Sequence, residues 1–264
     1  YSGCFYCSEG GSGDFASDSS LPIAAQLSEA RRRLSSKTDC RKFIAYFQAF
    51  TNTYAPVEYL EKIFYEAISD PSVCVLSIGT RTDCFNDEIY DLLSRLNNIK
   101  PVWIELGLQS IHQSTLDAMN THTKVSDFTV VCNELNKRSI KVIAHLILGL
   151  PGETKEMMLE SVDFAAKSNI FGIKLQLLHV LRNTKLAELY EKDPFPLFSL
   201  EEYCDFIVDC IERLPPGMVI HRMTGDGPRK LLIAPMWSTD KKRVLNTINQ
   251  NFIKRNTYQG RFFM

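Results

Sequence analysis

Two cysteines separated by two residues, Cys4-Phe5-Tyr6-Cys7, open the chain inside a stretch rich in glycine and serine. That spacing lets two thiolates reach one metal centre while amides of the loop turn toward the sulfurs. A zinc site calls for a second Cys or His pair at similar spacing. The remaining cysteines (Cys40, Cys74, Cys84, Cys132, Cys204 and Cys210) form no such pair. A thioredoxin-type redox pair sits at a strand-to-helix junction, not in a Gly/Ser loop. Iron–sulfur chemistry remains, and it needs a third cysteine. A chance pairing among eight cysteines is the plain alternative.

Other polar residues stand out against apolar surroundings. Glu105 is flanked by Ile104 and Leu106, so strand alternation directs it to the face opposite both. A carboxylate inside a fold must be paired or bonded, which favours a site role. His145 lies within an apolar run, where a core histidine and a site histidine are equal readings. Further on, His221, Arg222, Asp226 and Arg229 gather around two glycines after an apolar run, a composition suited to a loop that contacts an anion or a substrate. A surface turn with ion pairs is its competitor. Asp83 and Gln109 have the residue types of helix starts, Arg31-Arg32-Arg33 reads as a solvated helix face, and Trp237 as a wall of the late loop or packing for the last helix.

These residues need elements to hold them. Apolar runs at 43–50, 73–78, 102–106, 142–148, 173–180 and, more weakly, 218–220 predict strands. Amphipathic stretches at 57–68, 87–96, 126–137, 155–166, 199–213 and 240–250 predict helices, and the first 20 residues read as loop. Continuous apolar strands alternating with helices indicate a parallel sheet covered by helices. Strand after strand ends in a polar signature: Thr51-Asn52-Thr53, Gly79-Thr80-Arg81-Thr82-Asp83, Gly107-Leu108-Gln109-Ser110 and Gly149-Leu150-Pro151-Gly152-Glu153. Function spread over many strand ends favours a β/α barrel over a doubly wound sheet, which concentrates it at one switch point. No GxGxxG or GxxxxGK[ST] follows any strand.

Composition narrows the field. At 264 residues the chain can bury a sizeable core, and 45% hydrophobic with 23% charged residues is ordinary globular usage. Thirty basic residues against 31 acidic ones give no bulk attraction to nucleic acid or anionic membrane. No run approaches the roughly 18 apolar residues of a membrane span. Eight cysteines in a chain of this length imply a reducing compartment, so a cytoplasmic location is expected.

CFYC in an N-terminal loop, followed by GTRTDC, ELGLQS and HLILGLPGET on successive strands, strongly resembles the radical S-adenosylmethionine (SAM) superfamily. The chain looks most like the branch containing oxygen-independent coproporphyrinogen oxidase and the elongator catalytic subunit. It is closest to bacterial proteins of unassigned substrate that share TNTYAP, GTRTDC and TGDGP. The resemblance covers essentially the whole chain. It implies one partial TIM-like β/α barrel of parallel strands over residues 1–264, with 1–20 as cluster loop and 215–264 as a C-terminal extension packing on the barrel. The first barrel strand and the first cluster cysteine are expected upstream of Tyr1.

The resemblance also assigns roles. Cys4 and Cys7 ligate a 4Fe–4S cluster, and Tyr6 lies near the adenine of SAM. Thr51, Asn52 and Thr53 stand where a Gly-Gly segment usually meets the SAM amino group, a departure from the family pattern. Gln109 bonds the ribose hydroxyls. The family's carboxylate-binding arginine falls near Thr121, leaving that task to a group such as His122 or Lys124. Glu105 and His145 line the cofactor site, while His221, Arg222 and Asp226 face substrate. The implied activity is generation of a 5′-deoxyadenosyl radical that abstracts hydrogen from an unknown substrate, small molecule or RNA, with a reductant such as flavodoxin or ferredoxin and no membrane partner. An RNA-binding protein that modifies tRNA, and a non-catalytic barrel scaffold that has lost its cluster, are the competing classes.

Overall fold

Runs of Val, Ile and Leu become strands when both of their faces are covered, and the amphipathic stretches between them supply the cover. The computed structural model describes residues 3–8, 10–11, 16–35, 38–225 and 227–263. In chain order the elements are α1 (Ile23–Ser35), β1 (Phe43–Phe47), α2 (Val57–Ser69), β2 (Val73–Thr80), α3 (Asp87–Asn97), β3 (Val102–Gln109), α4 (Gln113–Ala118) and α5 (Val125–Lys137). There follow β4 (Lys141–Leu148), α6 (Lys155–Lys167), β5 (Gly172–Leu177), β6 (Val180–Leu181), α7 (Lys185–Lys192), α8 (Leu200–Glu212), β7 (Val219–Arg222), β8 (Leu232–Ala234), a 3-10 turn (Met236–Thr239) and α9 (Lys241–Arg255). The main sheet runs β1-β2-β3-β4-β5-β7, while β6 pairs antiparallel with β8. The pairs β1–β2, β2–β3, β4–β5 and β5–β7 are parallel.

The chain divides into two compact units. One comprises Gly10–Gly107 and Val130–Val142. Its helix α2 buries Leu60, Phe64, Ala67 and Ile68, a stripe at helical spacing. Phe64 meets Phe47 of β1 edge-on, with ring centroids 5.0 Å apart. Leu76, Ile78, Ile104 and Leu106 are fully buried on β2 and β3, each worth about 1.5–3 kcal/mol of burial. Asn86 caps α3 by accepting from the Ile89 N–H at 2.9 Å, so Asp83 does not start this helix. Asp83 instead receives the Arg81 guanidinium, with Nε at 2.9 Å. Helix α1 buries none of its residues, and Arg31 pairs with Asp70 at 2.8 Å.

The other unit comprises Tyr1–Glu9, Leu108–Thr129 and Ile143–Met264. Thr154 caps α6, and Ser199 with Glu202 forms a reciprocal capping box at α8. Val162, Ile173, Leu175, Tyr203 and Ile207 are fully buried between these helices and β5. Trp237 donates from Nε1 to the Phe198 carbonyl at 3.0 Å and tilts onto Tyr203, so it packs beside α8. Among the described residues no helix is long and apolar enough to cross a membrane.

Two apolar runs break earlier than their hydrophobicity predicts. The first strand stops at Phe47, because Ala49 and Phe50 turn into the left-handed region at φ 97° and 55°. The run at 173–180 splits, with β5 ending at Leu177 and Val180 joining the separate β6–β8 ribbon.

Candidate active site

The cysteine loop is built from its apolar residues outward. In the larger unit the Phe5 amide donates to the Met119 carbonyl at 3.0 Å, and the Phe5 carbonyl accepts from the Leu186 amide at 2.8 Å. Asn120 Nδ2 adds a bond to the Gly3 carbonyl at 2.9 Å. Phe5 and Tyr6 pack against a buried cluster that includes Met119, Leu150, Leu178 and Leu186. Cys7 N–H closes the turn on the Cys4 carbonyl at 3.1 Å. Neither cysteine is in a disulfide, and both are half-buried. The aromatic pair therefore anchors the turn that carries the two cysteines. Among the described residues no three His, Cys, Asp or Glu side chains gather as a metal-ion site. The described residues thus match two of the three thiolates a cluster of the implied kind requires.

Gln109 ends β3 with φ 62°, and its Oε1 is buried with no hydrogen-bond partner among the described residues. It is not a helix cap, since α4 begins at Gln113 after His112. A buried, unpaired amide oxygen is costly, so a ligand donor is its natural complement. The next residue, Ser110, is fully buried and its hydroxyl bonds Glu153 of the Gly149–Glu153 turn. Burial pushes the Glu153 carboxyl above the ordinary glutamate value, against the pull of Ser110, His112 and Thr115. His122 and Lys124 are exposed, whereas Thr121 is buried.

On the strands of the same unit, His145 of β4 is in register with Lys174 of β5, and Lys174 with Arg222 of β7. Gln176 Nε2 lies 3.3 Å from His145 Nδ1 and donates to it when the imidazole proton sits on Nε2. Lys174 is only 7% exposed. His145 and Arg222 are thus brought into one row, but His221 is not. The β5–β7 register shifts between Ile173 and Lys174, and the His221 ring lies against Gly172 and Phe171 at the start of β5. Asp226 lies outside the described residues. Its neighbours Gly225 and Gly227 lie against the His179 imidazole, where an added Cβ would come within 2.3 and 2.5 Å of the ring.

In the smaller unit, Asn52 is occupied with its own fold. Its Nδ2 donates toward the carbonyls of Phe47, Ala49 and Gly79, the last at 2.9 Å. Thr53 is buried, shares a hydrogen bond with Thr80 and donates to the Cys84 carbonyl at 2.8 Å. Thr51 stays half-buried in the turn it closes with Tyr54. The backbone freedom that glycine would supply is taken by Ala49 and Phe50, just before this segment. Glu105 is 5% exposed on β3 and accepts from Ser77 Oγ at 2.7 Å. Beside Thr53 opens a cleft of about 550 Å³ lined by Tyr54, Pro56, Cys84, Asn86 and Glu88 among others. Burial and the neighbouring Asp83 push the Cys84 thiol up to about 11.

Sequence reasoning missed Lys174, Gln176 and His179. The signal for the first two was present: in Ile173-Lys174-Leu175-Gln176-Leu177 the polar residues alternate with apolar ones, which puts both on one strand face.

The geometry has counterparts among known proteins. Protein YtqA of Bacillus subtilis is 41% identical over 263 residues, covering 100% of this chain and 82% of that protein. The archaeal Methanocaldococcus infernus Elp3 superposes with a TM-score of 0.76 at 18% identity, over 91% of this chain and 61% of that one. Coproporphyrinogen III oxidase (HemN) from Escherichia coli does so with a TM-score of 0.56 at 14% identity, over 79% and 48% of the two chains. These likenesses show the fold, a partial TIM-like β/α barrel. The sequence profile of the Radical SAM superfamily, whose members bind a 4Fe–4S cluster and SAM, matches residues 2–165, and that of the Radical_SAM C-terminal domain matches residues 170–254. By its sequence this chain belongs to the radical SAM superfamily.

Proposed function

We propose that this chain is a radical SAM enzyme in which Cys4 and Cys7 are ligands of the 4Fe–4S cluster. The observation that carries the reading is the Cys4–Cys7 turn, half-buried and tied by its Phe5 backbone to Met119 and Leu186. A cluster held by these cysteines would supply the electron for reductive cleavage of SAM, the source of the family's hydrogen-abstracting 5′-deoxyadenosyl radical.

The chain's own residues orient and enclose. Tyr6, packed beside the cysteines, flanks the adenine. Gln109 offers its unpaired Oε1 to a ribose hydroxyl. The Asn52 bonds to the Phe47, Ala49 and Gly79 carbonyls brace the loop after β1, and we assign Thr51, Asn52 and Thr53 of that loop to the SAM ammonium by their place in the motif. We assign Glu105 in the one unit and His145 in the other to cofactor binding, and Arg222 to substrate. Flavodoxin or ferredoxin is the reductant we assign, in the cytoplasm.

Iron and acid-labile sulfide measured after anaerobic reconstitution test this reading. We expect a full cluster complement in a protein expressed from its complete reading frame, and a clear loss in Cys4→Ala and Cys7→Ala. Unchanged iron and sulfide in both variants would overturn it.

A further inference from the structure

We propose that the C-terminal turn of α4 is a clamp that shapes the Cys4–Cys7 turn for its cluster before metal binds, with Asn120 as the positioning residue. The inference deepens the radical SAM reading and rests on it for the identity of the metal group.

The residue type at position 120 is the first sign. Helix α4 ends in a Schellman motif, in which the Asn120 amide donates to the Asp117 carbonyl at 3.0 Å and the Thr121 amide to the Leu116 carbonyl at 3.1 Å. That motif needs a left-handed residue, and Asn120 supplies it at φ 54°. Glycine is the usual occupant and meets no steric penalty there. Asparagine tolerates the conformation and adds a side chain. Here that side chain reaches a residue 117 positions earlier in the chain, its Nδ2 donating to the Gly3 carbonyl at 2.9 Å.

The bond has neighbours that point the same way. Met119 accepts the Phe5 amide on its carbonyl at 3.0 Å, and its buried side chain belongs to the apolar cluster against which Phe5 and Tyr6 pack. The Leu186 amide of α7 donates to the Phe5 carbonyl at 2.8 Å. Backbone groups on both sides of Cys4, at Gly3 and at Phe5, are thereby fixed by elements of one unit. A ligand loop ordered in advance loses less freedom when its metal group binds, which strengthens binding. Helix α4 also begins at Gln113, shortly after Gln109, so one short helix ties the end of β3 to the cysteine turn.

The test uses the complete protein before and after anaerobic reconstitution. Asn120→Gly keeps the left-handed turn and removes the amide. Asn120→Asp keeps the shape and sets a carboxylate against the Gly3 carbonyl. Hydrogen exchange over residues 3–7 is followed by mass spectrometry in the cluster-free protein, and iron release to a chelator in the reconstituted one. Both should rise about threefold in Asn120→Gly, the scale of one lost hydrogen bond, and further in Asn120→Asp. The urea midpoint of cluster-free Asn120→Gly should stay close to that of the wild type, because glycine suits the helix end. Exchange and iron release that match the wild type in both variants overturn the proposal, as does a lowered midpoint without either change. A wild type that retains no iron and sulfide, while exchange over residues 3–7 still responds to Asn120→Gly, refutes the radical SAM reading and leaves the loop brace standing. A full cluster whose loss is the same in all three proteins refutes the clamp alone.

Discussion

Ser110 donates its hydroxyl hydrogen to the carboxylate of Glu153, and this bond joins the end of β3 to the turn after β4. The two sequence signatures LGLQS and GLPGE are therefore one device. Ser110 also accepts from the His112 amide at 3.0 Å, which sets the backbone leaving Gln109. The bond matters because Gln109 sits in a left-handed conformation that an unbraced strand end would not hold.

Glu153 should make stability depend on pH in a defined direction. Burial raises its carboxyl above the ordinary value of 4.5, so the folded chain binds that proton more tightly than the unfolded chain. The contribution is fully present below the unfolded value and is lost as pH rises through the folded one. The unfolding free energy of the wild type relative to Glu153→Gln should decline between about pH 4.5 and neutrality, since glutamine keeps the Ser110 bond without the charge. Urea unfolding across this range checks it, and a flat difference contradicts it.

Gln109→Leu should separate stability from ligand binding. Leucine meets the same backbone strain but removes the unpaired oxygen, whose burial costs about 1–3 kcal/mol. We expect stability to hold or rise, and SAM affinity of the reconstituted protein to fall by about tenfold. Loss of stability with intact SAM binding would show that the amide serves the fold alone.

Gly225→Ala should destabilise by about 1–3 kcal/mol, because the new methyl meets the His179 ring at 2.3 Å. In a double-mutant cycle, His179→Ala should remove most of that penalty. Additive effects, read by chemical denaturation, would mean the loop does not rest on this histidine.

Much of this architecture was legible in the residues, and the gaps have physical causes. The runs at 102–106 and 142–148 became β3 and β4 because apolar residues covered on both sides report burial directly. The left-handed turn at Ala49 and Phe50 left no trace, since hydrophobicity carries no information on φ. Helix α1 buries nothing, so it has no apolar stripe to read. Strands β6 and β8 are two and three residues long, below any detectable period. In the candidate site, Cys4, Cys7 and Gln109 were proposed from spacing and resemblance. Lys174 was hidden because a single lysine does not break a strand's apolar average, and only register places it beside His145.

Cys84 should resist alkylation near neutrality despite lining an open cleft. Its thiol is pushed up to about 11, so the reactive thiolate is scarce at pH 7 and grows about tenfold per pH unit below that value. Mass spectrometry after brief iodoacetamide treatment should find the exposed Cys40 and Cys74 modified first. Cys84 labelling as fast as Cys40 at pH 7 would refute this.

The most direct measurement is release of 5′-deoxyadenosine from SAM by the complete, anaerobically reconstituted protein given a strong reductant. Release should require cluster and reductant, fall to background in Cys4→Ala and Cys7→Ala, and drop sharply in Gln109→Leu. A fully reconstituted wild type that releases none, or cysteine variants that release as much as the wild type, would contradict it.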